Sequence, residues 1–85
     1  MYKLTHKKSA VKAIRKVPRP QAQRLTGELE AMAQAPYAYQ GDWKAMKGEP
    51  YWRLRQGNYQ AICSIDNGEL VVLVLKVGSR GDVYK

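Results

Sequence analysis

Tyr51-Trp52-Arg53-Leu54-Arg55-Gln56-Gly57-Asn58-Tyr59-Gln60-Ala61-Ile62-Cys63-Ser64-Ile65 is the stretch whose reading decides the fold. Trp52 and Leu54 alternate with Arg53 and Arg55, and Tyr59, Ala61, Cys63 and Ile65 alternate with Gln60, Ile62 and Ser64. That two-residue period marks a pair of half-buried strands. Gly57-Asn58 supplies a two-residue turn, and an even loop keeps both apolar sets on one face. The resulting register sets Arg55 opposite Gln60 and Arg53 opposite Ile62, so Arg53, Arg55, Gln60 and Ser64 are expected to share the polar face.

Downstream, Asn67-Gly68 is a second two-residue hairpin signal, and it leads into Glu69–Val77. This segment is apolar on both faces, which predicts the central strand. A polar tail is expected from Gly78 onward. Upstream, Pro36, Gly41, Gly48 and Pro50 preclude a long element between Ala35 and Pro50. The prediction there is a connecting loop, with one turn of structure around Trp43–Met46, carrying Lys44 and Lys47.

Ahead of that loop, Ala22, Leu25, Leu29 and Met32 form one helical stripe, and Pro20 suits the first turn of such a helix because its missing N–H is not needed there. Ala10, Val11, Ile14 and Val17 mark an earlier helix from about Lys7 that ends before Pro18. Tyr2–Thr5 reads as a short strand. Two helices followed by a block of strands argue for an α+β fold, an N-terminal two-helix hairpin packed on a small, mainly antiparallel twisted sheet. Residues 1–85 are expected to form a single domain.

With 85 residues, 45% hydrophobic and 26% charged, the composition excludes a disordered chain. One cysteine, Cys63, excludes an internal disulfide; one histidine, His6, leaves no second nitrogen ligand for zinc and no partner for paired-histidine chemistry. No metal or cofactor is expected. The serines lack the strand-to-helix setting of a nucleophile. The longest apolar run, Leu70–Leu75, is far too short to span a bilayer, and the N-terminus lacks an apolar signal core. The expectation is a cytoplasmic protein with no membrane partner. By strand parity Cys63 is inert core, Trp43 and Trp52 are packing residues, and His6 is exposed or caps a helix.

Lys and Arg number 15 against 7 acidic residues, a net charge of +8, and residues 1–20 hold seven of the cations and no acid. Such a chain attracts polyanions, nucleic acid first among them. Glu49 and Asp42 are the only acids near the basic loop; either could act as a general base, though a turn role ranks higher.

The segment Tyr51 to Ile62, together with the terminal Val77-Gly78-Ser79-Arg80-Gly81-Asp82-Val83-Tyr84, resembles the RelE/ParE toxin superfamily of bacterial type II toxin–antitoxin systems. The shared pattern is a tyrosine, Arg-Leu-Arg, a glycine turn, an apolar strand, and Val-Gly-x-Arg … Val-Tyr. It runs over essentially the whole chain and is closer to the RelE branch. The resemblance implies a ribosome-dependent mRNA endonuclease that inhibits translation without a metal, with a cognate acidic antitoxin protein and the ribosome and its mRNA as partners.

It further implies that Arg53 stands at the position of the residue that activates the 2′-hydroxyl, Arg80 at that of the residue serving the leaving group, and Tyr84 at that of the aromatic orienting the nucleotide. Lys44, Lys47, Arg55 and Gln60 complete the implied RNA-binding set. Two departures weaken the implied catalysis. Arg53 replaces the usual Lys, and a guanidinium is a poor proton acceptor; Gln60 replaces the usual Arg, which removes a cation. The alternatives are a ParE-like inhibitor of DNA gyrase, or a catalytically impaired relative acting through antitoxin or RNA binding.

Overall fold

In the computed structural model, which describes residues 1–79, the chain runs β1 (Lys3–His6), α1 (Lys8–Lys16), α2 (Arg19–Gln34), β2 (Trp43–Ala45), β3 (Trp52–Gln56), β4 (Tyr59–Asp66) and β5 (Val71–Ser79). The strands form one sheet in the order β1-β5-β4-β3-β2. β1 lies parallel to β5, with Lys3 beside Val71 and His6 beside Val74; the other three pairings are antiparallel. The fold is therefore α+β, as the order of sequence patterns predicts.

Both helices cover one face of the sheet. α1 ends where Pro18 cannot continue it, and Arg15 and Lys16 occupy its last turn, where cations offset the partial negative charge of exposed carbonyls. α2 begins with Pro20 in its first turn and the Ala22 N–H on the Pro18 carbonyl at 2.9 Å. Its stripe of Leu25, Leu29 and Met32 is fully buried against a sheet face carrying Leu54, Ala61, Cys63, Val72 and Val74. Each large apolar side chain buried there contributes about 1.5–3 kcal/mol.

The Gly57-Asn58 turn closes β3 on β4 as the alternation requires: Gln56 pairs with Tyr59, Arg55 with Gln60, and Arg53 with Ile62. Gly57 takes φ +60°, which a residue with a Cβ adopts only at a cost.

Four expectations are corrected. The segment around Trp43 is a strand, β2, because Trp43 is held by three partners: it stacks on Trp52 with centroids 5.1 Å apart, donates its indole N–H to the Pro36 carbonyl at 2.9 Å, and pairs with Leu54. The β4–β5 connection is a four-residue loop, Asn67–Leu70, closed by the pair Asp66 and Val71; the Asp66 carboxylate accepts the Glu69 N–H at 3.0 Å, and Leu70 takes φ +55°. β5 is interior, yet the middle of five strands is β4, because β1 adds to the far side of β5. β5 also runs on through Gly78 to Ser79, where a tail was expected.

The β4–β5 register shifts once. Ile62 pairs with Lys76 but Cys63 pairs with Val74, leaving Leu75 as the extra residue of a β-bulge. The bulge resets the alternation along β5, so Val72, Val74 and Val77 are all buried while Lys76 is exposed.

Candidate functional site

The face of the sheet away from the helices carries the polar members of the alternation. Lys44 on β2 pairs with Arg53 on β3, Arg53 with Ile62 on β4, and Ile62 with Lys76 on β5. These four positions form one row crossing four strands. The next row runs Arg55, Gln60, Gly78. Arg53 and Arg55, two residues apart on β3, lie roughly 7 Å apart along the strand on the same face.

At the β2 edge of this face is an open concavity of about 410 Å³ lined by Lys44, Ala45, Met46, Lys47, Glu49 and Arg53. The β2–β3 connection builds its rim: the Met46 N–H meets the Tyr51 carbonyl at 2.8 Å, the Glu49 N–H meets the Met46 carbonyl at 3.2 Å, and Gly48 turns the chain with φ +78°. Three of the sequence-predicted residues, Lys44, Lys47 and Arg53, are thereby brought together. Glu49 is the carboxylate among the lining residues, whereas Asp42 contributes its backbone carbonyl to the Arg55 N–H at 2.9 Å. Three cations and one carboxylate thus lie around a single open recess.

Arg55 and Gln60 sit outside the concavity. Gln60 has the expected register, but it is 1% exposed, and its amide nitrogen has no hydrogen-bond partner among the described residues. Strand parity marks only the face Gln60 shares with Arg55 and carries no information on its burial. Arg80 and Tyr84 lie outside the described residues.

Cys63 is buried on β4, and burial pushes its thiol up to about 12, which keeps it protonated and inert. His6 is not a helix cap. It lies in β1, half-buried beside Val74, and burial lowers its pKa while Glu30 opposes that shift. Trp43 is buried core and Trp52 packs against it. Among the described residues no group of His, Cys, Asp and Glu could hold a metal ion, and no helix is long and apolar enough to cross a membrane. Lys76 was not singled out in the sequence, where Glu69–Val77 reads as apolar on both faces; the bulge at Leu75 sets it on the helix-free face.

The chain is similar along 95% of its length to 97% of the RelE-RelB structure from the archaeon Pyrococcus horikoshii, at 25% identity and a TM-score of 0.81. The isolated RelE toxin of E. coli matches with a TM-score of 0.79 and 22% identity over 99% of this chain and 92% of that one. The E. coli RelBE toxin-antitoxin complex matches with a TM-score of 0.78 and 23% identity over 93% and 96%. A search of curated proteins returns no match. The family model described as the ParE toxin of the type II toxin-antitoxin system, parDE, matches residues 4–84. With a family model spanning nearly every residue and the fold of RelE toxins beneath it, the chain belongs to the ParE/RelE superfamily of type II toxins.

Proposed function

We propose that this toxin cleaves mRNA, and that it does so on the ribosome. The observation that carries the reading is the gathering of Lys44, Lys47 and Arg53 around one concavity that also holds Glu49. RNA cleavage by internal transesterification removes a proton from the 2′-hydroxyl, forms the 2′-oxygen–phosphorus bond, breaks the bond to the 5′-oxygen, and returns a proton to that oxygen. The products are a 2′,3′-cyclic phosphate and a 5′-hydroxyl. The developing charge sits on the non-bridging oxygens, where the fork of Arg53 and the ammonium groups of Lys44 and Lys47 stabilise it.

A guanidinium cannot take the first proton, so the Glu49 carboxylate accepts it. Arg80 serves the leaving oxygen, and Tyr84 stacks on or orients the nucleotide, in keeping with the family pattern. A site this open holds a free strand poorly, and positioning by a larger partner supplies the missing orientation.

The partner protein in this reading is a cognate acidic antitoxin, largely disordered until bound. Relatives crystallised as RelE with RelB support a protein partner. The net charge of +8 favours an acidic one, and a groove between α1 and α2, lined by Ile14, Val17 and Ala22 with Arg15 and Arg19 beside them, offers an apolar seat flanked by cations.

The test is single-turnover cleavage of mRNA on programmed ribosomes by the full chain. Codon-positioned cuts are expected, with Arg53→Ala and Glu49→Gln each slowing cleavage by roughly 10² and Arg80→Ala and Tyr84→Ala lowering it as well. The matching family model bears the name of the ParE toxins, which makes gyrase the second reading. Intact message together with loss of gyrase supercoiling activity would establish that reading and end the first.

A further inference from the structure

Lys76 carries no role in any account of the site so far, yet the fold sets it in the row with Arg53 and Lys44. A strict alternation along β5 would place it inward with Val72 and Val74. The bulge at Leu75 prevents that: Lys76 pairs with Ile62 and is exposed, while Val77 takes the core position. The sheet therefore absorbs one extra residue at the point that turns a lysine onto the helix-free face.

Neighbouring strands are about 4.8 Å apart, so the row places Lys44 one spacing from Arg53, and Lys76 two spacings away on the other side, roughly 14 Å from end to end. Neither this row nor the adjoining Arg55–Gln60–Gly78 row contains an acid. Three cations on β2, β3 and β5, separated on β4 by the buried Ile62, complement a chain whose negative charges repeat at regular intervals. A phosphodiester backbone has that repeat.

We infer that Lys76 is a backbone-phosphate subsite, holding a nucleotide that flanks the cut and guiding the RNA strand across β3, β4 and β5 into the concavity. Lys76 is a positioning residue in this scheme. It supplies a point charge on a flexible stem and leaves the chemistry to the groups around Arg53. The inference rests on the RNA-cleaving reading proposed above.

The test is equilibrium binding of the full chain to a short single-stranded RNA, made uncleavable by a 2′-deoxy sugar at the cut site, over a series of salt concentrations. Lys76→Ala is expected to weaken binding about three- to tenfold at low salt and to reduce the slope of log K against log salt by about 0.7, the value for one phosphate contact on a single strand. Lys76→Arg should restore both, and Lys16→Ala on α1 should change neither. An exposed position tolerates these substitutions, and an unchanged thermal melt verifies that the fold is intact.

If Lys76→Ala binds RNA with the wild-type affinity and slope while Arg53→Ala does not, the subsite is wrong and the RNA reading stands. If Lys76→Ala leaves RNA binding intact but weakens binding of the acidic antitoxin, Lys76 belongs to the protein interface and the inference is overturned. If the wild-type chain shows no salt-dependent binding of free RNA, Lys76 is no phosphate subsite of the isolated chain and this inference is overturned, while cleavage on the ribosome stands or falls on its own single-turnover test.

Discussion

Leu70 is the non-glycine residue in the left-handed region among the described residues, at φ +55°, and it is 47% exposed. Its backbone is held there because its carbonyl accepts the Lys3 N–H at 2.8 Å, which starts the β1–β5 pairing. A branched side chain in that conformation costs about 1–2 kcal/mol, and asparagine tolerates it far better. Leu70→Asn gives up only the half of the side chain that is covered. It is expected to raise stability by ~0.5–1 kcal/mol, read as a higher urea midpoint at unchanged slope; a lower midpoint would show that the strain is not there. Gln60 poses the opposite problem, a buried amide whose nitrogen lacks a partner among the described residues. Gln60→Met, of similar shape and without the polar atoms, should gain ~1 kcal/mol. Gln60→Arg restores the cation usual in the family, but at a position 1% exposed it should lose roughly 1–3 kcal/mol. If thermal melts rank Gln60→Arg above wild type, the side chain reaches the surface and its burial has been misjudged.

Along β5 the bulge makes a sharp distinction between adjacent residues. Val77 is 9% exposed and packs in the core, whereas Lys76 is exposed on the other face. Val77→Lys should therefore lose at least ~3 kcal/mol through a buried unpaired charge, while Lys76→Val should stay within about 0.5 kcal/mol of wild type. Chemical denaturation of the two variants tests the register directly, and equal losses would contradict it. The same bulge explains what the sequence could and could not reveal. Period-two alternation and the Gly57-Asn58 turn were enough for β3, β4 and the Arg55–Gln60 and Arg53–Ile62 pairs, because those are local. Helix stripes and proline breaks were enough for α1 and α2 within a residue or so. β2 was hidden because three residues carry too little pattern, and only its tertiary contacts, the Trp43–Trp52 stack and the Pro36 carbonyl, hold it as a strand. Lys44 and Lys47 were legible as a basic loop with Glu49 beside it; that Arg53 joins them depends on the pairing of β2 with β3, and that Lys76 aligns with them depends on one extra residue in β5.

For the whole molecule, pH acts through His6, which sits between β5 and the charge of Glu30. Its folded pKa is lowered from 6.5, chiefly by burial. The unfolded chain thus binds more protons than the folded one below about pH 6.5, and stability that is complete above that value is lost as pH falls through the folded pKa. Urea midpoints measured from about pH 7.5 down to about pH 5 should fall in the wild type and fall less in His6→Gln. Parallel curves would assign the acid sensitivity to other groups. One topological feature has a kinetic side as well. β1 is made first and its neighbour in the sheet, β5, is made after every other strand, so nearly the whole described chain must be synthesised before Lys3 meets Val71. Pairings so distant in sequence close slowly. A nascent copy therefore cannot complete its sheet while β5 is still being translated. Until Lys3 meets Val71 the edge of β5 that β1 covers stays unpaired, so the last pairing the sheet gains is also the one a competing strand would have to take.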